Sequence, residues 1–336
     1  MEGADRRAAP TTPENRTDSP RNPVLFIIFN RPDVTATVFE AIRKARPRRL
    51  YIAADGPRTQ RPGEAEKCAQ TRAVVEKIDW DCEHYTLFHD DNLGCRRGVT
   101  TALDWFFTAE PQGIILEDDC VPGPSFFRYC DDLLDAYRDD DRVGHIAGTN
   151  YAPTAVRGDV DASYLFSRHI SVWGWATWRD RWFGSRGALN HWPEFPAARL
   201  MPTLYPDRNE RRARLNANLK ASKQQIDAWS YEWVFANASQ SRLAIVPRVN
   251  QIINIGFGAE ATHTTYRHPL AQDKADALDF PLIAPSFVCA DYIYDQHLTR
   301  KLYPGWLWSK FNSLRARLAD PNYLRRTFRK LIRRRG

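Results

Sequence analysis

The run Gly113-Ile114-Ile115-Leu116-Glu117-Asp118-Asp119-Cys120 constrains this chain more than any other. Three apolar residues suited to a buried strand lead straight into three adjacent carboxylates. Clustered carboxylates repel one another, and leaving them unpaired in a folded protein costs on the order of several kcal/mol. A positive partner is therefore expected at residues 117–119, and a hard divalent cation with oxygen ligands is the natural candidate. A strand whose carboxyl end carries acids also suits an open α/β sheet, where ligands bind just beyond the strand ends.

The sequence before this run alternates strand and helix. Residues 23–29 form a wholly apolar stretch stopped by Asn30-Arg31-Pro32, and an amphipathic pattern follows to about residue 45, with Val34, Val38 and Ile42 on one face. A second apolar run over 49–54 ends at Asp55-Gly56-Pro57. A helical stretch to about residue 79 and a strand over 83–89 come next. Residues 91–98 read as a loop, and 99–109 as a helix that leads to the acidic strand. A helix over 124–137 and a strand over 143–147 complete the regular part. Strands and helices joined by short connections predict a mostly parallel sheet with right-handed crossovers. Beyond residue 150 the alternation loosens: Trp173–Trp178 reads as loop or helix start, 206–225 and 229–239 as helices, and 243–247 as a strand.

The chain is thus expected to divide into a polar, disordered leader (1–22), an α/β body (23–295) and a basic amphipathic tail (296–336). The body has a regular nucleotide-type half (23–150) and an aromatic-rich half (151–295). Of the net charge of +7, residues 299–336 hold twelve Lys or Arg against a single Asp, about +11, so the remainder is mildly acidic. In the tail, basic residues alternate with Trp306, Trp308, Phe311, Leu314 and Leu318, the composition of an amphipathic helix at an anionic membrane surface. No nucleic-acid-binding module accompanies that charge. No apolar run is long enough for a membrane span, and the N-terminus lacks the apolar core of a secretory signal. The six Cys show no CxxC pair and read as free thiols. The expected location is the cytoplasm, peripheral to the inner face of the membrane. The eleven Trp suggest an aromatic-lined cleft, since aromatic faces bind sugars and nucleobases.

In a parallel sheet the ends of FIIFNRP, YIAADGPR and GIILEDD lie on one edge, which brings Arg31, Asp55 and the acidic triplet to a shared cleft. There one strand-end acid suits a base N–H, a second a sugar or ribose hydroxyl, and a third a metal bridging a diphosphate. With these residues in view, the chain resembles the GT-A glycosyltransferases, specifically the N-acetylglucosaminyltransferase I-like group. The resemblance rests on ILEDDCVPGPSFFRYCDDLL, on Arg31, on Asp55 and on ALDWFF. The segments VWGWATWRDRW, DAWSYEW and NIGFGAEATHT further resemble bacterial hemolysin-like glycosyltransferases, so residues 24 to about 264 are covered.

The resemblance implies a GT-A nucleotide-diphospho-sugar transferase fold and an inverting, metal-dependent enzyme of bacterial surface glycan synthesis. It would take a UDP-linked donor and a glycan or lipid-linked acceptor, with Mn2+ or Mg2+. It makes Asp119 the metal ligand and gives Glu117 and Asp118 the sugar or ribose hydroxyls. Arg31 and Asp55 are placed at the nucleotide and Thr262 at the diphosphate. Where that group carries a nucleotide-contacting His, this chain has Gly98.

His263 is a candidate second metal ligand or phosphate contact, because a neutral imidazole suits both manganese and a phosphate oxygen. Trp173 and Trp175 are expected to wall the sugar site. The base that takes the acceptor's proton is Asp227, with Glu232 as the alternative. A sugar-phosphate nucleotidyltransferase, and a non-catalytic carbohydrate-binding or membrane-active protein, are the competing readings. The former ordinarily has a Gly-rich phosphate loop that FIIFNRP lacks, and the latter needs no clustered acids.

Overall fold

The computed structural model describes residues 19–152, 161–257 and 271–305. Its elements in chain order are β1 (Val24–Ile28), α1 (Pro32–Ala45), β2 (Arg49–Ala54), α2 (Glu64–Val75), β3 (Glu83–Phe88), α3 (Gly94–Ala109), β4 (Gln112–Glu117) and β5 (Cys120–Pro122). Then come α4 (Phe126–Ala136), β6 (Val143–Ala147), β7 (Tyr164–Ser167), β8 (Trp175–Trp178), α5 (Arg179–Phe183), α6 (Glu194–Ala197), α7 (Met201–Leu204) and α8 (Arg208–Ser222). The last are α9 (Ser230–Ser239), β9 (Leu243–Pro247), β10 (Ile252–Asn254) and α10 (Tyr292–Leu302).

Eight strands form one mixed, mostly parallel sheet in the order β3-β2-β1-β4-β8-β6-β9-β7. The first four are mutually parallel, so the carboxyl ends of β1, β2 and β4 meet on one edge, as the sequence requires. Helices cover both faces. Val24, Phe26 and Ile28 of β1 pack with Val38 and Ile42 of α1 and with Phe126 and Leu133 of α4. Leu25 faces the other way, onto Val99, Leu103 and Phe106 of α3 and the indoles of Trp182 and Trp233. Burial on both faces is why β1, β2 and β4 read as unbroken apolar runs. The protein is an α/β fold with a large mixed sheet flanked by helices, the coarse architecture expected.

Trp175–Trp178 is a strand, not a loop or helix start. β8 runs antiparallel between β4 and β6, pairing Ile115 with Trp175 and Ala176 with Ile146. The reversed direction delivers the start of β8 to the same edge as the end of β4. A short second sheet pairs β5 with β10 and sets Asn254 opposite Cys120. α3 begins at Gly94, five residues before the expected start.

The expected boundaries also shift. Arg21 and Asn22, the last residues of the expected leader, donate their backbone N–H groups to Asp131 at 2.8 and 3.0 Å. α10 crosses the expected boundary at 295/296. Its Tyr294 and Leu298 pack on Val246 and Ala152, and its Asp295 accepts from Ser167 Oγ at 2.6 Å and Arg168 Nε at 2.9 Å. The tail from residue 306 onward lies outside the described residues. All six Cys are free thiols.

Candidate functional site at the carboxyl edge of the sheet

A cleft of about 390 Å³ lies at the carboxyl edge of β1, β2 and β4. Arg31, Asp55, Glu117, Asp118, Asp119, Trp173 and Asp227 all line it, so seven of the residues singled out from the sequence come together. A more open depression of about 770 Å³ lies at the opposite edge, but its charges are engaged with one another, as in Arg49–Glu110 and Arg138–Asp135.

The protein supplies part of the positive charge that the triplet demands. Arg31, the residue preceding α1, donates Nε to Asp118 Oδ2 at 3.2 Å and Nη2 to both Asp118 Oδ1 and Asp119 Oδ2, the latter at 3.0 Å. Expected at the nucleotide, Arg31 lines the cleft but spends its guanidinium on the acids. A single guanidinium against three carboxylates leaves a deficit. Burial, then Asp119 and Asp118, push Glu117 up to about 8. Burial also pushes Asp118 up to about 6, against the pull of Arg31.

These shifts have a thermodynamic sign. Both acids hold protons in the folded protein at pH values where the unfolded chain has released them. The native state therefore binds more protons between about pH 4.5 and 8, and stability falls as pH rises through that window. In the presence of a chelator, urea unfolding midpoints should decline from pH 5.5 to 8.5, and Glu117→Gln should flatten the decline. Midpoints that climb over this range would contradict the assignment.

Asp119 is more exposed than Asp118, with 16% of its side chain accessible against 7%. Besides Arg31, it accepts from Asn254 Nδ2 at 3.2 Å, and Asn254 is itself fixed by the Gly256 N–H, which donates to its Oδ1 at 2.9 Å. Gly256 is needed there: a Cβ would come within 1.9 Å of Asp119 Oδ2. Among the described residues no group of three or more His, Cys, Asp or Glu converges in metal-ligating geometry. The donor chemistry nevertheless suits a hard divalent cation: carboxylate oxygens in excess of their single guanidinium, with Asp119 facing the cleft. Thr262 and His263 lie outside the described residues.

Asp55 and Asp227 divide the N-terminus of α3 between them. Asp55 Oδ1 accepts from the backbone N–H groups of Leu93 at 2.8 Å and Gly56 at 2.9 Å. Its Oδ2 accepts from Gly94 N–H at 3.1 Å and Asn92 Nδ2 at 2.9 Å. Asp227 accepts from Cys95 N–H at 3.0 Å and Arg96 N–H at 2.8 Å. The first four amides of a helix lack partners within it, and here two carboxylates distant in sequence satisfy them. With four donors on one carboxylate, Asp55 has no acceptor site free for a base N–H. Expected at the nucleotide, Asp55 lines the cleft and uses these four bonds to hold the start of α3. Asp227 keeps lone pairs free. Glu232, in the first turn of α9, does not line the cleft; its carboxylate lies 3.6 Å from Arg186 Nη1.

The aromatic wall differs from expectation by one residue. Trp173 lines the cleft, edge-on to Phe257 at 5.8 Å and to Tyr151 at 5.7 Å. Trp175 is fully buried and stacks on His145 at 5.1 Å and on Trp229 at 5.5 Å. Trp229 takes its place as a lining residue. The His145 ring is fixed as one neutral tautomer: Trp233 Nε1–H donates to Nδ1 at 3.1 Å, and Nε2–H donates to the Ser171 carbonyl at 2.7 Å. Burial pulls this His down to about 3. It thereby anchors the segment that carries Trp173 to the cleft.

Asn254, Phe257 and Trp229 are cleft residues that the sequence did not single out. Their segments, NIGFG and DAWSYEW, did stand out, but which side chain faces the cleft depends on the three-residue β10 and the turn before α9. Compared with known proteins, the sequence matches no family model and no curated protein.

Proposed function

We propose that the protein is an inverting glycosyltransferase of the GT-A type that takes a nucleotide-diphosphate sugar, UDP-linked, and passes the sugar to a glycan or lipid-linked acceptor. The observation that carries this reading is the joint one: three carboxylates with a charge deficit, a further carboxylate at Asp227 and the indoles of Trp173 and Trp229 line one cleft at the carboxyl edge of an α/β sheet. Asp119 would hold the divalent ion, Mn2+ or Mg2+. When bound, that ion supplies positive charge for the diphosphate leaving group.

The chain's own residues do the rest. Arg31 pins Asp118 and Asp119 and limits their mutual repulsion. Glu117 and Asp118 offer oxygens to sugar or ribose hydroxyls. Trp173 and Trp229 exclude water and present apolar faces to a ring. Asp227 accepts the proton of the acceptor hydroxyl as that oxygen attacks the anomeric carbon. Its two amide donors hold the carboxylate in a fixed position at the cleft. Glu232, turned toward Arg186, is the weaker candidate.

The reading is tested by ligand-linked stability. UDP with Mn2+ at about a hundred times its Kd should stabilise the fold by about 2.7 kcal/mol, seen as a raised melting temperature. Asp119→Ala should remove the Mn2+-dependent part of that shift. If no UDP-, GDP- or CDP-linked compound moves the transition, the transferase reading is wrong.

A further inference from the structure

Arg31 is placed to do more than hold the acids apart. Its backbone is fixed at the start of α1, where Pro32 restricts it and its carbonyl accepts from Thr35 N–H at 2.9 Å. Every hydrogen bond of its side chain goes to the acids. Nε and Nη2 reach Asp118, and Nη2 also reaches Asp119 Oδ2 at 3.0 Å. Nη1 makes no hydrogen bond among the described residues, so two of the five N–H donors remain at the cleft wall.

The two oxygens of Asp119 have different surroundings. Oδ1 accepts from Asn254 Nδ2 at 3.2 Å and from Cys120 Sγ at 3.4 Å. The Ile255 N–H donates to the Asp119 carbonyl at 2.9 Å, so this side of the residue is built into the β5–β10 pair. Oδ2 instead meets Arg31 Nη2, and Gly256 packs against it so closely that a Cβ would fall 1.9 Å away. A cation that binds Asp119 through Oδ2 therefore competes with Nη2 for the same crowded oxygen, where two positive charges repel.

Arg58, which also lines the cleft, has no such freedom. Its Nε donates to Glu64 at 2.9 Å, its Nη2 bonds the same carboxylate, and Glu64 is buried. Arg58 cannot leave without stranding that acid. Arg31 can leave Asp119 and keep Asp118 through Nε, at 3.2 Å.

We propose that Arg31 is an exchangeable counter-ion. Its Nη2 yields Asp119 Oδ2 to a divalent cation, and the guanidinium turns about its bond to Asp118 to donate to phosphate oxygens. The identity of that anion, a nucleoside diphosphate, rests on the transferase reading; the exchange at Asp119 does not. Each half assists the other. The cation takes over the carboxylate that Arg31 gives up, and the diphosphate offers the guanidinium a bidentate partner. Cation and diphosphate should therefore bind with reciprocal cooperativity that passes through Arg31.

Arg31→Lys tests this without measuring turnover, because Lys keeps the charge and loses the planar fork that spans Asp118 and Asp119. The electron paramagnetic resonance signal of free Mn2+ gives the affinity of the full chain with no nucleotide present. Arg31→Lys should bind Mn2+ about five- to tenfold more tightly than wild type, and bind UDP at saturating Mn2+ about tenfold more weakly. In wild type, UDP should tighten Mn2+ by about tenfold or more, and Arg31→Lys should lose most of that coupling. An Arg31→Lys protein that binds Mn2+ no more tightly than wild type overturns the exchange, since Arg31 would then only orient the acids. Wild type in which UDP and Mn2+ bind independently overturns it as well, whether or not the variant folds. Wild type that binds Mn2+ but takes up no UDP, GDP or CDP sinks the transferase reading instead, and the Mn2+ comparison alone then decides the exchange.

Discussion

Arg31→Met is expected to cost about 3–5 kcal/mol of stability at pH 8, the range for removing one partner from a buried ion pair. The guanidinium is largely shielded and contacts two of three adjacent carboxylates. Met keeps most of its volume, so the loss reports charge rather than a cavity. Without Arg31, the repulsion among Glu117, Asp118 and Asp119 is unopposed within the protein, and the affinity of Glu117 and Asp118 for protons rises further. The penalty should therefore shrink as pH falls from about 8 toward 5, where Glu117 and Asp118 take up protons in wild type as well. Denaturant titrations at the two pH values measure it. A penalty that is equal at both, or larger at the lower pH, would show that Arg31 acts by packing and not by charge.

The second large effect is expected at Asp227, where structure and chemistry separate cleanly. Asp227→Asn retains one acceptor oxygen, so one of the Cys95 and Arg96 amides loses its partner and meets an NH2 group instead. Loss of a cap of this kind costs about 1–2 kcal/mol. If Asp227 is the base of a transferase, turnover should fall by about 10²–10⁴-fold while UDP still raises the melting temperature. Glu232→Gln, at a side chain turned to Arg186, should leave turnover within a few-fold. Wild-type turnover in Asp227→Asn would leave Asp227 a purely structural carboxylate and move the base elsewhere.

The sequence made the central strands legible because β1, β2 and β4 are buried on both faces and cannot alternate. Their polar ends were legible for the complementary reason, since acids directly after a buried strand have nowhere to go but the sheet edge. β8 was hidden: Trp-Ala-Thr-Trp has no period of its own, and its strand state comes from β4 and β6 on either side. The start of α3 was hidden because Gly94-Cys95-Arg96 contains no capping residue, and its caps arrive from positions 55 and 227. Trp175 was misplaced for a backbone reason. Gly174 has φ of 58°, which breaks strand parity, so Trp173 and Trp175 do not share a face. A side chain at Gly174 would also collide with Ile252, at 2.3 Å from the added Cβ.

The shared capping of α3 bears on how the cleft can open and close. Its four leading amides are tied half to β2 and half to the turn before α9, which belong to different halves of the chain. A chain ending at residue 150 would therefore carry a helix with two open donors and no indole cover. In the full chain, release of residues 226–229 alone would free Cys95 and Arg96 and leave Leu93 and Gly94 still held by Asp55. The helix end can thus loosen in two unequal steps, and the first of them moves Asp227 and Trp229 without disturbing the acidic strand end beneath.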